Sequence, residues 1–400
     1  MKLNMQLKFR KLIIPIVKIT LPVLFILISI NSLSHYDNSK IRVGIYCDGG
    51  VGFPNGDKIK YVDEYEIIIK TIDKKILPFK INSDDISNGA LDKTDVIVFP
   101  GGSGDGQARS LGKRGRKSII DFVANGGGYV GICAGAYLAQ HTNLKFPEFP
   151  LKLANARLYN KALYWNRGAA MARVSVTNIG RKMFPELRNR KYIYMHYNQG
   201  PVLVPADSGN VKYDELLKFK SNVYHNRPES FGETPGKTFL LKTKMGKGVV
   251  ILMSGHPEAT PGFRWMLPRM IRLAAKKKIV NYPKKYVKPL KYKREIMFDK
   301  RWLRKEKNLL KILSNHKEYK SSKIIDAIKK LKKMASRKIT ENVASLLISR
   351  HSIVRIKAAE IMIYYDYFPA LHELEKVYSF EKNSGAIKAF GRAIKHLKSN

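Results

Sequence analysis

The chain has 400 residues and a net charge of +42, from 74 Lys and Arg against 32 Asp and Glu. That length suits two or three domains, and 44% hydrophobic residues exclude a wholly disordered basic tail. Two cysteines, Cys47 and Cys133, exclude a disulfide scaffold and a Cys-rich zinc module.

The basic excess is uneven. Residues 276–320 hold 17 basic and 4 acidic side chains, while residues 41–275 hold 35 and 20. The N-terminus has its own signature. Lys2, Lys8, Arg10 and Lys11 precede an apolar run over 12–30, and its cleanest part, 19–30, has the length of a signal-peptide h-region. Counted from Leu12, the run is long enough to span a bilayer with Lys18 snorkelling. Residues 1–34 are therefore expected to be a signal peptide or N-terminal membrane anchor. The basic flank then places the body away from the cytoplasm, in the cell envelope or periplasm.

Beyond it, residues 41–46 read as a strand ending in the Gly-rich turn at 48–50. A helix is expected over 61–75 and a short strand over 77–81. Residues 95–99 are apolar and β-branched, as in a strand buried on both faces, and stop at Pro100-Gly101-Gly102. Gly112–Lys117 reads as a basic surface loop, followed by a helical pattern over 118–125. A strand over 129–132 runs directly into Cys133, and a helix over 134–140 follows. Strands alternating with helices predict a parallel, doubly wound sheet, with functional loops at the strands' carboxyl ends.

Three short motifs carry the chemistry. Gly131-Ile132-Cys133-Ala134-Gly135 has the G-x-C-x-G form of a nucleophile elbow, where the turn admits only small neighbours. A helix N-terminus after the cysteine favours thiolate. In Pro100-Gly101-Gly102-Ser103, glycines after a strand let backbone N–H groups face a substrate, so one of these, with the N–H of Ala134, could bind an oxyanion. His256-Pro257-Glu258 follows an apolar strand over 248–253. Residues i and i+2 of an extended segment share a side, so Glu258 is placed to orient His256, and His256 to deprotonate Cys133. Nothing in the sequence calls for a metal or a cofactor.

The order P-G-G, G-x-C-A-G, H-P-E resembles that of class I glutamine amidotransferase-like domains. More closely it resembles the N-terminal domain of biotin-protein ligases, the BPL-N family, with Tyr197-Asn198-Gln199-Gly200-Pro201-Val202 as a further supporting segment. The resemblance covers residues 41–275 and implies a flavodoxin-like fold. It implies Cys133 as nucleophile, His256 as base, Glu258 as orienting carboxylate, Gly102 with Ala134 as oxyanion donors, and Gly101, Tyr197 and Asn198 beside the substrate. Gln199 departs from the pattern where a small Gly is expected. The flavodoxin-like order sets strand 95–99 between the strands that end at Cys47 and Cys133. Two spacings of ~4.8 Å then part the thiols by ~10 Å, too far for a disulfide. Cys47 is expected to be a pocket-rim or core thiol.

Residues 276–320 read as an extended basic connector, suited to an anionic membrane surface more than to nucleic acid, which an exported protein rarely meets. Over 321–400, Ala327, Ala358 and Ala389 recur at a spacing of 31 within apolar helical patterns. This resembles a small all-α domain of HEAT-like repeats able to dock a protein partner. Two functional readings follow. One is a cysteine amidohydrolase-like protein acting on a small-molecule or peptide amide through an acyl-enzyme. The other is a catalytically silent ligand-binding scaffold that docks partners through its helical repeats.

Overall fold

The computed structural model describes residues 40–398 apart from 53–57, 143–145, 160–167, 208–211, 224–232, 289–291, 293–294 and 299. The expected signal or anchor over 1–34 lies outside the described residues. Among those residues, no helix is long and apolar enough to cross a membrane.

The first half of the sheet is parallel. Strands β1 (Ile41–Tyr46), β2 (Ile76–Ile81), β3 (Val96–Phe99) and β4 (Gly128–Ile132) lie in the order β2-β1-β3-β4. In register, Val43 faces Val96 and Phe99 faces Gly131. Every residue of β3 is buried, which is why that strand reads as an unbroken apolar run. Phe99 stacks on Tyr46 at 4.6 Å and on Tyr129 at 5.5 Å, binding three neighbouring strands through one aromatic row. Helices α1 (Lys58–Ile72), α2 (Ser83–Ser87), α3 (Gly104–Ala124) and α4 (Ala134–Ala139) connect these strands.

The chain then makes an antiparallel extension of β5 (Ala156–Leu158), β6 (Ala169–Val176), β7 (Tyr192–Asn198), β8 (Leu203–Pro205), β9 (Asp214–Phe219) and β10 (Thr238–Met245), with α5 (Asn178–Met183) between β6 and β7. It returns through β11 (Gly248–Met253), wholly buried and parallel to β4, and α6 (Met266–Ala274) follows. The parallel order β2-β1-β3-β4-β11 is flavodoxin-like, as the alternation predicted.

Two sequence expectations need correction. Gly112–Lys117 is not a loop but lies inside α3, which bends where Gly112 takes φ 60° and ψ −176°. Arg116 spans the bend by donating to the Ala108 carbonyl at 2.7 Å. Nor is 276–320 simply an extended connector. It contributes β12 (Ile296–Phe298), which pairs antiparallel with β6, and α7 (Lys300–Ser314). Along α7, Glu306, Leu309 and Leu313 are buried while Arg301, Arg304, Lys305, Lys307 and Lys311 are exposed. The dense charge of this segment is therefore partly the solvated face of an amphipathic helix.

The remaining helices are α8 (Ser321–Lys333), α9 (Val343–Leu347), α10 (Ser352–Tyr365), α11 (Leu371–Tyr378) and α12 (Ser384–Lys398). Consecutive helices pack as α7 with α8, α9 with α10 and α11 with α12, and α10 also packs on α12. Ala327, Ala358 and Ala389 are buried where the helices meet, around Ile324, Leu331, Val354 and Phe390. Residues 41–400 form one compact unit, so this module is built onto the sheet rather than tethered to it.

Candidate functional site

The site collects at the carboxyl ends of β3, β4 and β11. Cys133 ends β4 with φ 51° and ψ −96°, a conformation that costs a non-glycine residue on the order of 1–3 kcal/mol. The elbow is closed on both sides by backbone. A Cβ on Gly131 would sit 2.5 Å from the Gly135 carbonyl oxygen, and one on Gly135 would sit 2.3 Å from that of Phe99. Tyr129 fixes the turn from beneath by donating to the Gly135 carbonyl at 2.8 Å. The thiol is buried and donates to the Asn198 carbonyl oxygen at 3.6 Å.

His256 and Glu258 leave β11 on one side of the chain. The His256 Nδ1 lies 2.7 Å from the Glu258 Oε1, and both side chains are buried. That contact assigns the Nδ1 proton toward Glu258 and leaves Nε2 as the basic nitrogen. Nε2 has no formed hydrogen bond with any described residue. The Cys133 sulfur is nevertheless near enough to act on the ring as charge and as hydrogen-bond partner, so the contact is poised rather than closed. Burial alone would push the imidazole down, but the Glu258 charge and then the Cys133 sulfur raise it to about 10. Burial likewise works against ionised Glu258, and the His256 charge overcomes it to hold the carboxyl below its usual range.

Gly101 packs directly on this pair. A Cβ there would lie 2.9 Å from the His256 Cε1 and 2.9 Å from the Tyr61 hydroxyl oxygen. Beside it, Gly102 has φ 141° and faces Val51 in an isolated antiparallel bridge. The bonds of that bridge run from the Gly52 and Ser103 N–H groups to the Gly101 and Gly50 carbonyls. They leave the Gly102 N–H out of the ladder, on an exposed residue. Ala134 opens α4 as its first residue, where the N–H has no intrahelical acceptor. Tyr197 is placed differently from a cleft residue. It is fully buried, its hydroxyl donates to the Gly200 carbonyl at 2.7 Å, and its ring packs edge-on against Phe219. Asn198 meets the site through its backbone. Gln199 takes φ 54°, the left-handed region a glycine would favour. Cys47 is half-buried against the Ile81 carbonyl, and both cysteines are free.

Sequence reasoning missed three neighbours. Tyr61, on α1, donates to the Glu258 Oε1 at 3.2 Å. His196, on β7, lies edge-on to His256 with centroids 5.7 Å apart, and burial with the His256 charge lowers it to about 3. Arg337, from the helical module, acts electrostatically on Glu258. The β-prone run Tyr192–Asn198 marks His196 only as a strand residue, without clean apolar–polar alternation; Tyr61 and Arg337 have no local signal. Among the described residues, no group of His, Cys, Asp and Glu is placed to hold a metal ion.

A flavodoxin-like sheet with Cys133 on an elbow and a His–Glu pair just past the neighbouring strand defines a glutamine amidotransferase-like fold. The model of the biotin-protein ligase N-terminal family matches residues 80–326, and the chain belongs to that family. The match runs past the sheet into α8, so the family unit includes β12 and α7. A biotin–protein ligase of Schizosaccharomyces pombe is 24% identical over 178 residues, which are 41% of this chain and 26% of that enzyme. The matched stretch thus spans about a quarter of that relative's length. Among solved structures, a ThuA-like protein of Parabacteroides merdae aligns at 14% identity and a TM-score of 0.43, over 62% of this chain and 94% of its own. The glutaminase domain of Trypanosoma brucei CTPS with bound acivicin aligns at 14% identity and a TM-score of 0.41, over 61% of this chain and 97% of its own.

Proposed function

We propose that the protein is a cysteine amidohydrolase-like enzyme with Cys133, His256 and Glu258 as a triad. The observation that carries this reading is the buried His256–Glu258 pair at 2.7 Å, with Nε2 left without a bonded partner beside a cysteine on an elbow. The thiol proton passes to Nε2, which holds it at neutral pH because Glu258 and the Cys133 sulfur raise His256, and the sulfur then bonds to the carbonyl carbon of an amide. The oxygen, now negative, is received by the N–H groups of Gly102 and Ala134. The C–N bond breaks as the imidazolium returns the proton to the leaving amine, giving a thioester on Cys133. Water, deprotonated by the same nitrogen, then releases a carboxylic acid and restores the thiol.

The N-terminal sequence supports export or anchoring with this body away from the cytoplasm. The exposed basic face of α7 supports contact with an anionic surface.

The test is to incubate the full chain with small chromogenic esters and anilides and follow intact mass. A transient acyl adduct on the Cys133 peptide, absent from Cys133→Ala, supports the reading. Turnover without an adduct, or an adduct in both proteins, overturns it.

A further inference from the structure

A set of buried charges lies behind the triad, and the proposed chemistry does not use them. Glu64, one turn along α1 from Tyr61, is buried, and its Oε1 accepts from two guanidinium groups. One is Arg264, whose Nη2 is 2.8 Å away. The other is Arg337, which arrives from the helical module. Arg264 also donates to the Tyr365 carbonyl at 3.1 Å and to that of Asp366, at the end of α10. The segment carrying Arg337 is held by the Tyr365 hydroxyl, which donates to the Ser336 carbonyl at 3.1 Å. Tyr61, on the same helix as Glu64, reaches the pair directly. Its hydroxyl donates to the same Glu258 oxygen that His256 contacts, and lies 3.3 Å from the Tyr65 hydroxyl.

The formal charges of Glu64, Glu258, Arg264 and Arg337 sum to zero. A buried carboxylate as enclosed as Glu258 requires such compensation, because removing one member of a buried set strands the rest.

We propose that Arg337 and Glu64 are positioning residues for the Glu258–His256 pair, which makes the helical module a working part of the site. The inference rests on the triad reading. The other groups facing the pair are Cys133 from the elbow, His196 from β7, and Tyr61 and Tyr65 from α1. Farther out are Lys338 beside Arg337 and Asp366, which acts through Arg264. Arg337 lowers both Glu258 and Tyr61.

Charge gives the coupling a sign. Arg337→Met leaves the buried set net negative, so His256 holds its proton to higher pH. Glu64→Gln leaves it net positive, so His256 releases its proton at lower pH. A unit charge added to or removed from a partly screened interior moves such a titration by on the order of one pH unit.

The experiment follows the His256 ring by NMR across pH in the full chain, with the pH profile of iodoacetamide alkylation at Cys133 as a second readout. The expected result is an upward shift for Arg337→Met, a downward shift for Glu64→Gln, a value near the parent for the double variant, and rescue by Arg337→Lys. A merely structural role would give shifts of one sign or none, and that result overturns the proposal. If Arg337→Met does not fold, Glu64→Gln alone decides, and an unmoved His256 overturns it. Should Cys133 alkylate no faster than Cys47 in the parent, the hydrolase reading fails, while the His256 titration still tests the coupling.

Discussion

Gly101→Ala adds one methyl group between the base and its neighbour. The new Cβ would lie 2.9 Å from both the His256 Cε1 and the Tyr61 hydroxyl oxygen. Ordinary contact is near 3.5–4.0 Å, so the ring, the tyrosine or the β3 loop must yield by about half an ångström or more. Neither side chain yields freely. His256 is fixed to Glu258 at 2.7 Å and Tyr61 to the same carboxylate at 3.2 Å. Overpacking of this kind costs about 1–3 kcal/mol of stability. A displacement approaching 1 Å at a reacting group costs up to about a hundredfold in rate. The expected outcome is a folded protein whose Cys133 alkylates tens of times more slowly at neutral pH, with Cys47 unchanged. Rates from timed iodoacetamide quenching and peptide mass spectrometry, beside a thermal melt, measure both effects. If stability falls as expected while Cys133 keeps its parent rate, His256 does not control the thiol and the reasoning fails.

Gly135→Ala places a Cβ 2.3 Å from the Phe99 carbonyl oxygen, which is backbone and cannot step aside. This variant is expected to lose more stability than Gly101→Ala by chemical denaturation; equal stability would remove the reason for the elbow's small residues. Glu258→Gln removes the charge that sustains His256 at about 10, so the ring should titrate lower by on the order of two to three pH units; an unmoved ring contradicts the pairing. The same pair sets a pH window for stability. The raised His256 contributes fully below its ordinary value of 6.5, and this is lost as pH rises through about 10. The depressed Glu258 contributes fully above 4.5, and this is lost as pH falls through its lowered value. The stability difference between the parent and Glu258→Gln should therefore be greatest between these ordinary values, and a pH-independent difference in urea denaturation would refute it. Ala358→Leu should cost about 1–3 kcal/mol, because Ala358 is wholly buried where α10 packs on its neighbours; a neutral substitution would show that the crossing has slack.

The parallel half of the fold was legible because its signals are local. The strands β3 and β11 are buried throughout and so are apolar throughout, and each runs straight into a motif at its carboxyl end. The elbow glycines announced themselves because backbone approach excludes any side chain. The antiparallel extension was not read. Strand β9 mixes Asp214, Glu215 and Lys218 with buried Leu216 and Leu217, and so lacks clean alternation. Strand β12 has three residues and exists only through β6, more than a hundred positions earlier. The bend in α3 misled in the opposite direction. Gly112 and Gly115 suggested a loop, yet Gly115 is buried against Leu111 and the helix resumes. Least legible was the support of the site. Tyr61 and Arg337 come to act on Glu258, and Glu64 meets Arg337, only when α1 and the helical module are brought together by the fold. A contact such as Arg337–Glu64 spans 273 positions and leaves no periodic trace.

The most direct test of the central claim uses the two cysteines as a competition within one molecule. With limiting iodoacetamide at neutral pH, Cys133 should take up label well before Cys47, and His256→Ala should slow Cys133 while leaving Cys47 at its parent rate. Equal labelling of the two cysteines, or a Cys133 rate indifferent to His256→Ala, would contradict an activated nucleophile at the end of β4.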